Sequence, residues 1–421
     1  MNRIPVVTSF IFSGDRIALV KRSDQVGTYK GLWAGFSGYI EHLPLEQAYL
    51  ELEEEACLAK DDISLKGIGI PVAIDDCESG KNWLVFPFLF ELADCSDLTT
   101  NWETSEYLWV KPHDIEGMDT VPGLNSVFKR VWPAFADQHL WDGFKGIALD
   151  RTKGATALAR SGLDLLGRYA VECGDFLDRH ELIRLIRAFA ACRPAMGVFP
   201  DLAARLLLGI EHDDGRDNFD RLVESLLMAA NDSTALSVSN AISAIMGHKT
   251  VFTLSYSEVV RNALIGWYEP GKEVIIAESY PGNEGILLSE HLADKGVILR
   301  TIKDKYIREA IMESDAVLVG CDAITDDNAI QNKTGTCFAV SVANEYNIPV
   351  YTIAQTIKIC PPGWPSYIEQ DTIPGAIEPV AIFDHTPIDH FNAVITEEGD
   401  LTLDRLEEIR AELGSVELIP V

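Results

Sequence analysis

Cations are scarce in this chain, and that scarcity excludes more than any other feature of its composition. Lysine and arginine total 35 against 65 aspartates and glutamates, a formal charge of −30 over 421 residues. Non-specific binding to a nucleic-acid backbone needs a basic surface, so nucleic acid is not an expected partner. Any phosphorylated ligand must be drawn in by local cations or a metal, because the global field repels it. Paired cysteines are missing too. Cys57, Cys77, Cys95, Cys173, Cys192, Cys321, Cys337 and Cys360 make no CxxC and no disulfide framework, and they read as small apolar residues in a reducing compartment. No window stays apolar for the length of a membrane span, and the start MNRIPVVTSFIF alternates like a strand without a signal-peptide cleavage pattern. A cytoplasmic protein with no membrane partner is expected.

What is present suffices for sizeable cores. An apolar content of 47% over 421 residues predicts two or three domains. The pattern divides them as 1–140, 146–248 and 249–421. The first region opens with a hairpin over residues 5–12 and 16–21, turning at Ser13, Gly14 and Asp15. The stretch GLWAGFSGYIEHLPLEQAYLELEEEACL follows at 31–58 and turns helical from Pro44, with Leu45, Ala48, Leu52 and Ala56 able to share a face. Glu51, Glu54 and Glu55 stand at i, i+3 and i+4, so their carboxylates project from one side of the helix. Such a set repels itself unless a divalent cation sits among the oxygens, and Mg²⁺ prefers those ligands. On spacing alone a solvated acidic helix fits equally well.

This segment resembles the Nudix box. Gly38 matches its first glycine, and Glu51, Leu52, Glu54, Glu55 and Leu58 match its helical core. The loop from Trp33 to Gly38 and the preceding DRIALVKRS strand are similar to the same family. Leu50 stands where the pattern has arginine, Cys57 where it has its late glycine, and the stretch between Gly38 and Glu51 is shorter than the pattern. The resemblance implies an α/β/α sandwich in which Glu51, Glu54 and Glu55 hold Mg²⁺, with Mn²⁺ as an alternative. It also implies that they catalyse attack of water on a nucleoside-diphosphate-linked compound.

From about 147 to 247 the pattern is almost wholly helical, and from 250 strands alternate with helices. The strand candidates are 251–255, 273–278, 297–302, 316–320, 349–354 and 393–396, which implies a Rossmann-like, doubly wound parallel sheet. Ligands bind such sheets at the carboxyl ends of the strands. Ser255 and Ser257 follow the first strand, Glu278 and Ser279 the second, Asp322 the fourth and Lys358 the fifth. Residues 332–336, Asn332 to Thr336, read as a polar loop opening into a helix, where a cation and free N–H groups would hold a phosphate.

Over 147–421 the chain resembles the group that joins the α, β and δ subunits of initiation factor 2B with the sugar-phosphate aldose–ketose isomerases. The matching stretches include KGAT (153–156), CRP (192–194), TLSYSEVV (253–260), AESYPGNEG (277–285), GCDAI (320–324), NKTGT (332–336), AQTIK (354–358), FDHTP (383–387) and ITEEG (395–399). The resemblance implies that Asp322 is the isomerases' aspartate. Lys153, Gly154, Ala155, Thr156, Arg193, Asn332, Lys333 and Lys358 are implied to contact phosphate. Ser255 aligns with the isomerases' cysteine, and a serine is far too weak a base to replace a thiolate unaided. Cys321, next to Asp322, would point to the opposite side of a strand.

Three functions follow as expectations. The chain is a Nudix-type hydrolase fused to a module that binds a phosphosugar or nucleotide. Alternatively it is an active ribose-1,5-bisphosphate isomerase of archaeal nucleotide metabolism, or a non-catalytic initiation factor 2B-like regulatory subunit. The expected partners are nucleoside-diphosphate or phosphosugar small molecules and further copies of the chain, assembled as a homodimer or larger homo-oligomer through the C-terminal domain.

Overall fold

The computed structural model describes residues 3–77, 79–93, 98–132, 136–174, 177–211, 219–372, 378–414 and 418, so Cys95 lies outside the described residues. The chain forms two compact units. One takes in residues up to 151 together with 164–194, and the other takes in 152–163 together with 195–418.

Unit 1 begins with β1 (Ile4–Ser13) and β2 (Arg16–Arg22), the expected antiparallel hairpin, with Gly14 supplying a φ of 59° at the turn. Then come β3 (Trp33–Ala34), β4 (Phe36–Tyr39), α1 (Pro44–Ala56), β5 (Ile63–Ile68), β6 (Val72–Asp76), β7 (Lys81–Leu92), β8 (Thr104–Val110) and α2 (Leu124–Lys129). The sheet runs β3-β2-β1-β7-β5, with β4 on β1, β6 on β7 and β8 on β2. Only the β1–β7 pairing among these is parallel.

Strand β7 is buried without interruption from Trp83 to Phe90 because both faces of the sheet are covered. Alternation assigns the covers: Leu89 packs with Leu124, Val127 and Phe128 of α2, and Phe90 meets Tyr49 of α1 edge-to-face at 5.0 Å. Burying these side chains contributes about 1.5–3 kcal/mol each.

Two further helices belong to this unit, α3 (Gln138–Leu149) and α5 (Arg179–Cys192), both packed on β5. Asp137 and Asp178 cap them by accepting the N–H groups of Leu140 and Glu181. α4 (Ala155–Cys173) divides between the units. The partition thus differs from the expected boundaries of 1–140 and 146–248. Edge strand β5 leaves an apolar flank, and Leu140, Phe144 and Ile147 of α3 and Leu182, Leu185 and Ile186 of α5 are the buried faces of helices that pack on it. Helical periodicity cannot say which sheet a helix will cover.

Unit 2 continues through α6 (Val198–Glu211), α7 (Phe219–Ile245), β9 (Thr250–Leu254), α8 (Glu258–Trp267), β10 (Glu273–Ala277), α9 (Glu284–Ala293), β11 (Leu299–Ile302) and α10 (Ile307–Met312). It ends with β12 (Ala316–Val319), β13 (Ala323–Ile324), β14 (Ala329–Lys333), α11 (Thr336–Glu345), β15 (Val350–Ile353), β16 (Gln370–Asp371), β17 (Val380–Ala381), β18 (Phe383–Pro387), β19 (Ala393–Thr396), β20 (Gly399–Asp400) and α12 (Leu403–Leu413).

The main sheet has the order β11-β10-β9-β12-β15-β19-β20, parallel throughout except for the last strand. Chain order reverses between β9 and β12, so the switch-point crevice opens where Ser255–Ser257 and Gly320–Asp322 leave the sheet. A smaller antiparallel sheet, β13-β14-β18, follows β12. No helix among the described residues is long and apolar enough to cross a membrane.

Candidate functional site

In unit 1, Glu51 and Glu55 lie one helical turn apart on α1, Glu51 half-buried and Glu55 buried, while Glu54 is exposed. Strand β4 explains how Glu51 is accommodated. A Cβ on Gly38 would lie 1.7 Å from Glu51 Oε1, so the first glycine of the segment makes room for this carboxylate. Gln47 donates its Nε2–H to Glu51 Oε1 at 2.7 Å, and Ser37 donates its backbone N–H to Glu55 Oε1 at 3.1 Å.

These contacts do not offset the loss of water. Burial, reinforced by Glu54, Glu103 and Glu41, raises the Glu51 carboxyl to about 6 despite the Gln47 hydrogen bond. Burial together with Glu51 and Glu103 pushes Glu55 well above the usual carboxylate range. The helix end is also specific. Cys57 caps α1 with φ 55°, a left-handed conformation that favours glycine.

In unit 2 the switch point gathers most of the expected residues. Ser255 has φ 62° and donates its N–H to Ser279 Oγ at 2.6 Å, and Ser279 is itself left-handed at φ 64°. Such strained positions persist only where surrounding structure holds them. Gly320 brings the two sides together, since a Cβ there would lie 3.0 Å from Ser257 Cβ and 3.6 Å from Asn332 Oδ1. Half-buried Asp322 donates its N–H to the Gln331 carbonyl at 2.8 Å and accepts the Gly197 N–H at 3.0 Å. Both contacts run through its backbone, which fixes where its carboxyl group begins.

Two lysines sit at this rim almost without solvent, Lys333 at 4% and Lys358 at 5% exposure. Lys333 Nζ donates to Glu284 Oε1 at 2.6 Å, and Lys358 Nζ donates to the carbonyl of Cys321. Glu284 Oε2 is buried without a hydrogen-bond partner. Asn332 gives its amide to Thr336 Oγ1 at 3.0 Å.

Residues 332–336 correct one expectation. Asn332 and Lys333 end strand β14 rather than lying in a loop, because they pair with Asp384 and Phe383 of β18. The start of α11 is also not an open anion site. Asp384 accepts the Gly335 N–H at 2.8 Å and the Cys337 N–H at 3.1 Å, so the chain's own carboxylate fills the helix terminus. Burial raises Asp384 to about 6 even though those two N–H groups favour its charged form.

Lys153 and Gly154 are exposed in the loop entering α4, and Ala155 and Thr156 begin that helix. Arg193 falls in unit 1, where its Nη1–H donates to the Asp150 carbonyl at 2.6 Å. Cys321 is buried, and desolvation drives its thiol up to about 12 against the weaker pull of Lys358. It stays protonated at neutral pH and cannot serve as a base.

Glu284 and Asp384 join the site without being candidate site residues in the sequence. A glutamate directly after a glycine-asparagine turn was the available signal for Glu284. Nothing local marks Asp384, whose partners lie 47 and 49 residues away.

Comparisons with known proteins bear on the family and the fold. A model of the Initiation factor 2 subunit family matches residues 151–403, more than half of the chain. The ribose 1,5-bisphosphate isomerase of Methanocaldococcus jannaschii is 27% identical over 279 residues, spanning 59% of this chain and 86% of that one. Among solved structures, the Pyrococcus horikoshii translation initiation factor eIF-2B superposes with a TM-score of 0.59 at 25% identity, covering 64% of this chain and 99% of that one. The tetrameric eIF2B-beta2-delta2 complex from C. thermophilum shares the fold at a TM-score of 0.55 and 20% identity, covering 65% and 94%.

Proposed function

Because the chain belongs to the Initiation factor 2 subunit family, we propose that unit 2 binds a phosphosugar or nucleotide and that unit 1 is a Nudix-type hydrolase. The observation that carries the first part is the pair of buried lysines, Lys333 and Lys358, at the rim shared with Asp322 and Ser257. A cation held dry costs several kcal/mol unless an anion or dipole compensates it. Here Glu284 and one carbonyl do so, and a phosphate would do so better. Asn332, Ser255 and the loop from Lys153 to Thr156 would contact the rest of the ligand.

Neither Ser255 nor the protonated Cys321 supplies a thiolate base, so binding without turnover is the favoured reading of this unit. AMP, GMP and ribose 1,5-bisphosphate are expected to raise the melting temperature of the full chain. Failure of all three at millimolar concentration would refute the reading. The proposal includes assembly as a homodimer or larger homo-oligomer; the structural neighbour from C. thermophilum is itself a tetramer, of beta and delta subunits.

For unit 1 the reading rests on Glu51 and Glu55. Two desolvated carboxylates one turn apart, all oxygen donors, fit a divalent cation such as Mg²⁺ or Mn²⁺. Glu51 and Glu55, with exposed Glu54 as a further donor, would hold the ion, which when bound would supply charge stabilisation for a pyrophosphate and a more acidic water. The chain's own part is to hold the donors: Gly38 gives Glu51 its space, Gln47 orients it, and the Ser37 N–H fixes Glu55. A panel of nucleoside-diphosphate-linked compounds tests this, with Glu54→Gln expected to abolish Mg²⁺-dependent turnover. Unchanged turnover in that variant would sink it.

A second reading, an active ribose-1,5-bisphosphate isomerase, is favoured by the relative from M. jannaschii. It requires ribulose 1,5-bisphosphate as product and its loss in Asp322→Asn. Absence of product from the unaltered protein would remove it.

A further inference from the structure

Unit 1 contains a cavity of about 240 Å³ built from elements other than α1. Its walls are the end of β5 and the residues after it, the end of α2, Trp141 of α3, and α5. The charge of this lining opposes that of the chain. Lys66, Lys129, Arg130, Arg184 and Arg187 line it against a single acid, Glu181, in a protein whose net charge is −30. At the surface Lys66 pairs with Glu91 at 3.4 Å and Lys129 with Glu116 at 2.9 Å.

Arg130 is different. Its Nη1 is buried and has no hydrogen-bond acceptor among the described residues. Desolvation, and then the like charge of Arg187, hold its guanidinium below the ordinary range. Trp141 lines the same cavity with an indole Nε1–H that is also buried without an acceptor. Buried donors normally find partners, and two unpartnered ones on residues that line one cavity, amid cations, favour an acceptor with negative charge beside them. The backbone is shaped to the same purpose. A Cβ on Gly69 would come within 2.7 Å of Pro87 Cγ and 3.0 Å of Arg130 Cβ, so only glycine lets this segment close against the arginine's stem.

We propose that this cavity binds a small phosphate ester, with the phosphate on Arg130 and Arg187 and the organic part against Trp141. The cavity far exceeds the roughly 10–15 Å³ that one water needs on the same measure, which leaves room beside a phosphate for an organic group. Guanidinium forks match phosphate oxygens in pairs, and the indole offers one donor beside an apolar ring. The site involves none of the residues assigned to hydrolysis or to the switch point. Its success or failure is therefore separable from both of those readings.

The test uses the full chain labelled with 5-fluorotryptophan, in which the ¹⁹F resonance of Trp141 is assigned by its disappearance in Trp141→Phe. Titration with AMP is expected to move that resonance saturably. Arg130→Gln should raise the midpoint at least about tenfold, as loss of a charge-assisted hydrogen bond implies. Arg187→Gln serves as the second variant should Arg130→Gln fail to fold, with the same expected direction. Inorganic phosphate should compete, but with a higher midpoint than AMP. A Trp141 resonance that AMP does not move, or one that moves identically in both arginine variants, would overturn the proposal. Equal midpoints for phosphate and AMP would overturn the ester.

Discussion

The acidic face of α1 in unit 1 and the switch-point rim of unit 2 each bury charges of one sign, but they treat those charges differently. Glu51 and Glu55 receive one amide and one backbone N–H, and their carboxyls still rise out of the usual range. Lys333 and Lys358 are answered by the chain itself, through Glu284 and the Cys321 carbonyl. The carboxyls of the acidic site are therefore poised to hold protons, whereas the chain itself supplies a partner for each lysine of the basic site. Under the proposed function a phosphate entering unit 2 would compete with Glu284, and a divalent cation entering unit 1 would compete with protons and with the Gln47 and Ser37 N–H groups.

The largest effect should come from breaking the unit 2 pair. The Lys333 side chain is 5% exposed and that of Glu284 34%, and removing one partner of a buried pair costs about 3–5 kcal/mol when both are dry. With Glu284 a third exposed, Lys333→Met should lose about 2–3 kcal/mol by urea denaturation. The double variant Lys333→Met with Glu284→Gln should recover most of that stability but none of the ligand binding. If the single change costs under about 0.5 kcal/mol, the pair is a surface contact and the contrast between the sites fails.

Gly38→Ala probes the other site. The new methyl meets the end of a flexible side chain, so Glu51 should swing away from Gln47 rather than the strand shift. A cost of about 1–2 kcal/mol is expected, together with loss of any thermal stabilisation by Mg²⁺.

A smaller effect sharpens the same point through pH. Glu51 titrates near 6 in the folded chain against about 4.5 unfolded, so between those values the folded state binds more protons. Stability contributed by this group is present below 4.5 and declines as pH rises through 6. One unit corresponds to about 1.4 kcal/mol, and solvent at half-buried Glu51 reduces the whole to the order of 1 kcal/mol. Asp384 also titrates near 6 and acts with the same sign, so the measurement is the difference from Glu51→Gln, whose stability should fall less between pH 5 and pH 7. Mg²⁺ should stabilise the protein at pH 8 and cease to do so at pH 5.

Smallest of all, Cys57→Gly should stabilise the chain by about 0.5–1 kcal/mol, because φ 55° at the end of α1 suits glycine better than cysteine.

Much of this was legible in local pattern. The parallel strands of unit 2 announce themselves as short apolar runs separated by helical periodicity, and the observed strands lie within residues 250–396 as read. Glu51 and Glu55 share a face because helical geometry requires it. Ser255, Ser257, Asp322 and Lys358 come to one rim because strand ends in a parallel sheet point one way. Those outcomes depend on covalent geometry and nearest-neighbour burial, which the sequence by itself determines.

Tertiary structure decided the rest. Which sheet α3 and α5 would cover, that Asn332 and Lys333 would end a strand, and that Asp384 would occupy the start of α11 all depend on partners distant along the chain. The pairing of Lys333 with Glu284, 49 residues apart, and the gathering of cations around Arg130 have the same origin. Such choices are settled by competition among surfaces once elements exist, and no local window contains the competitors.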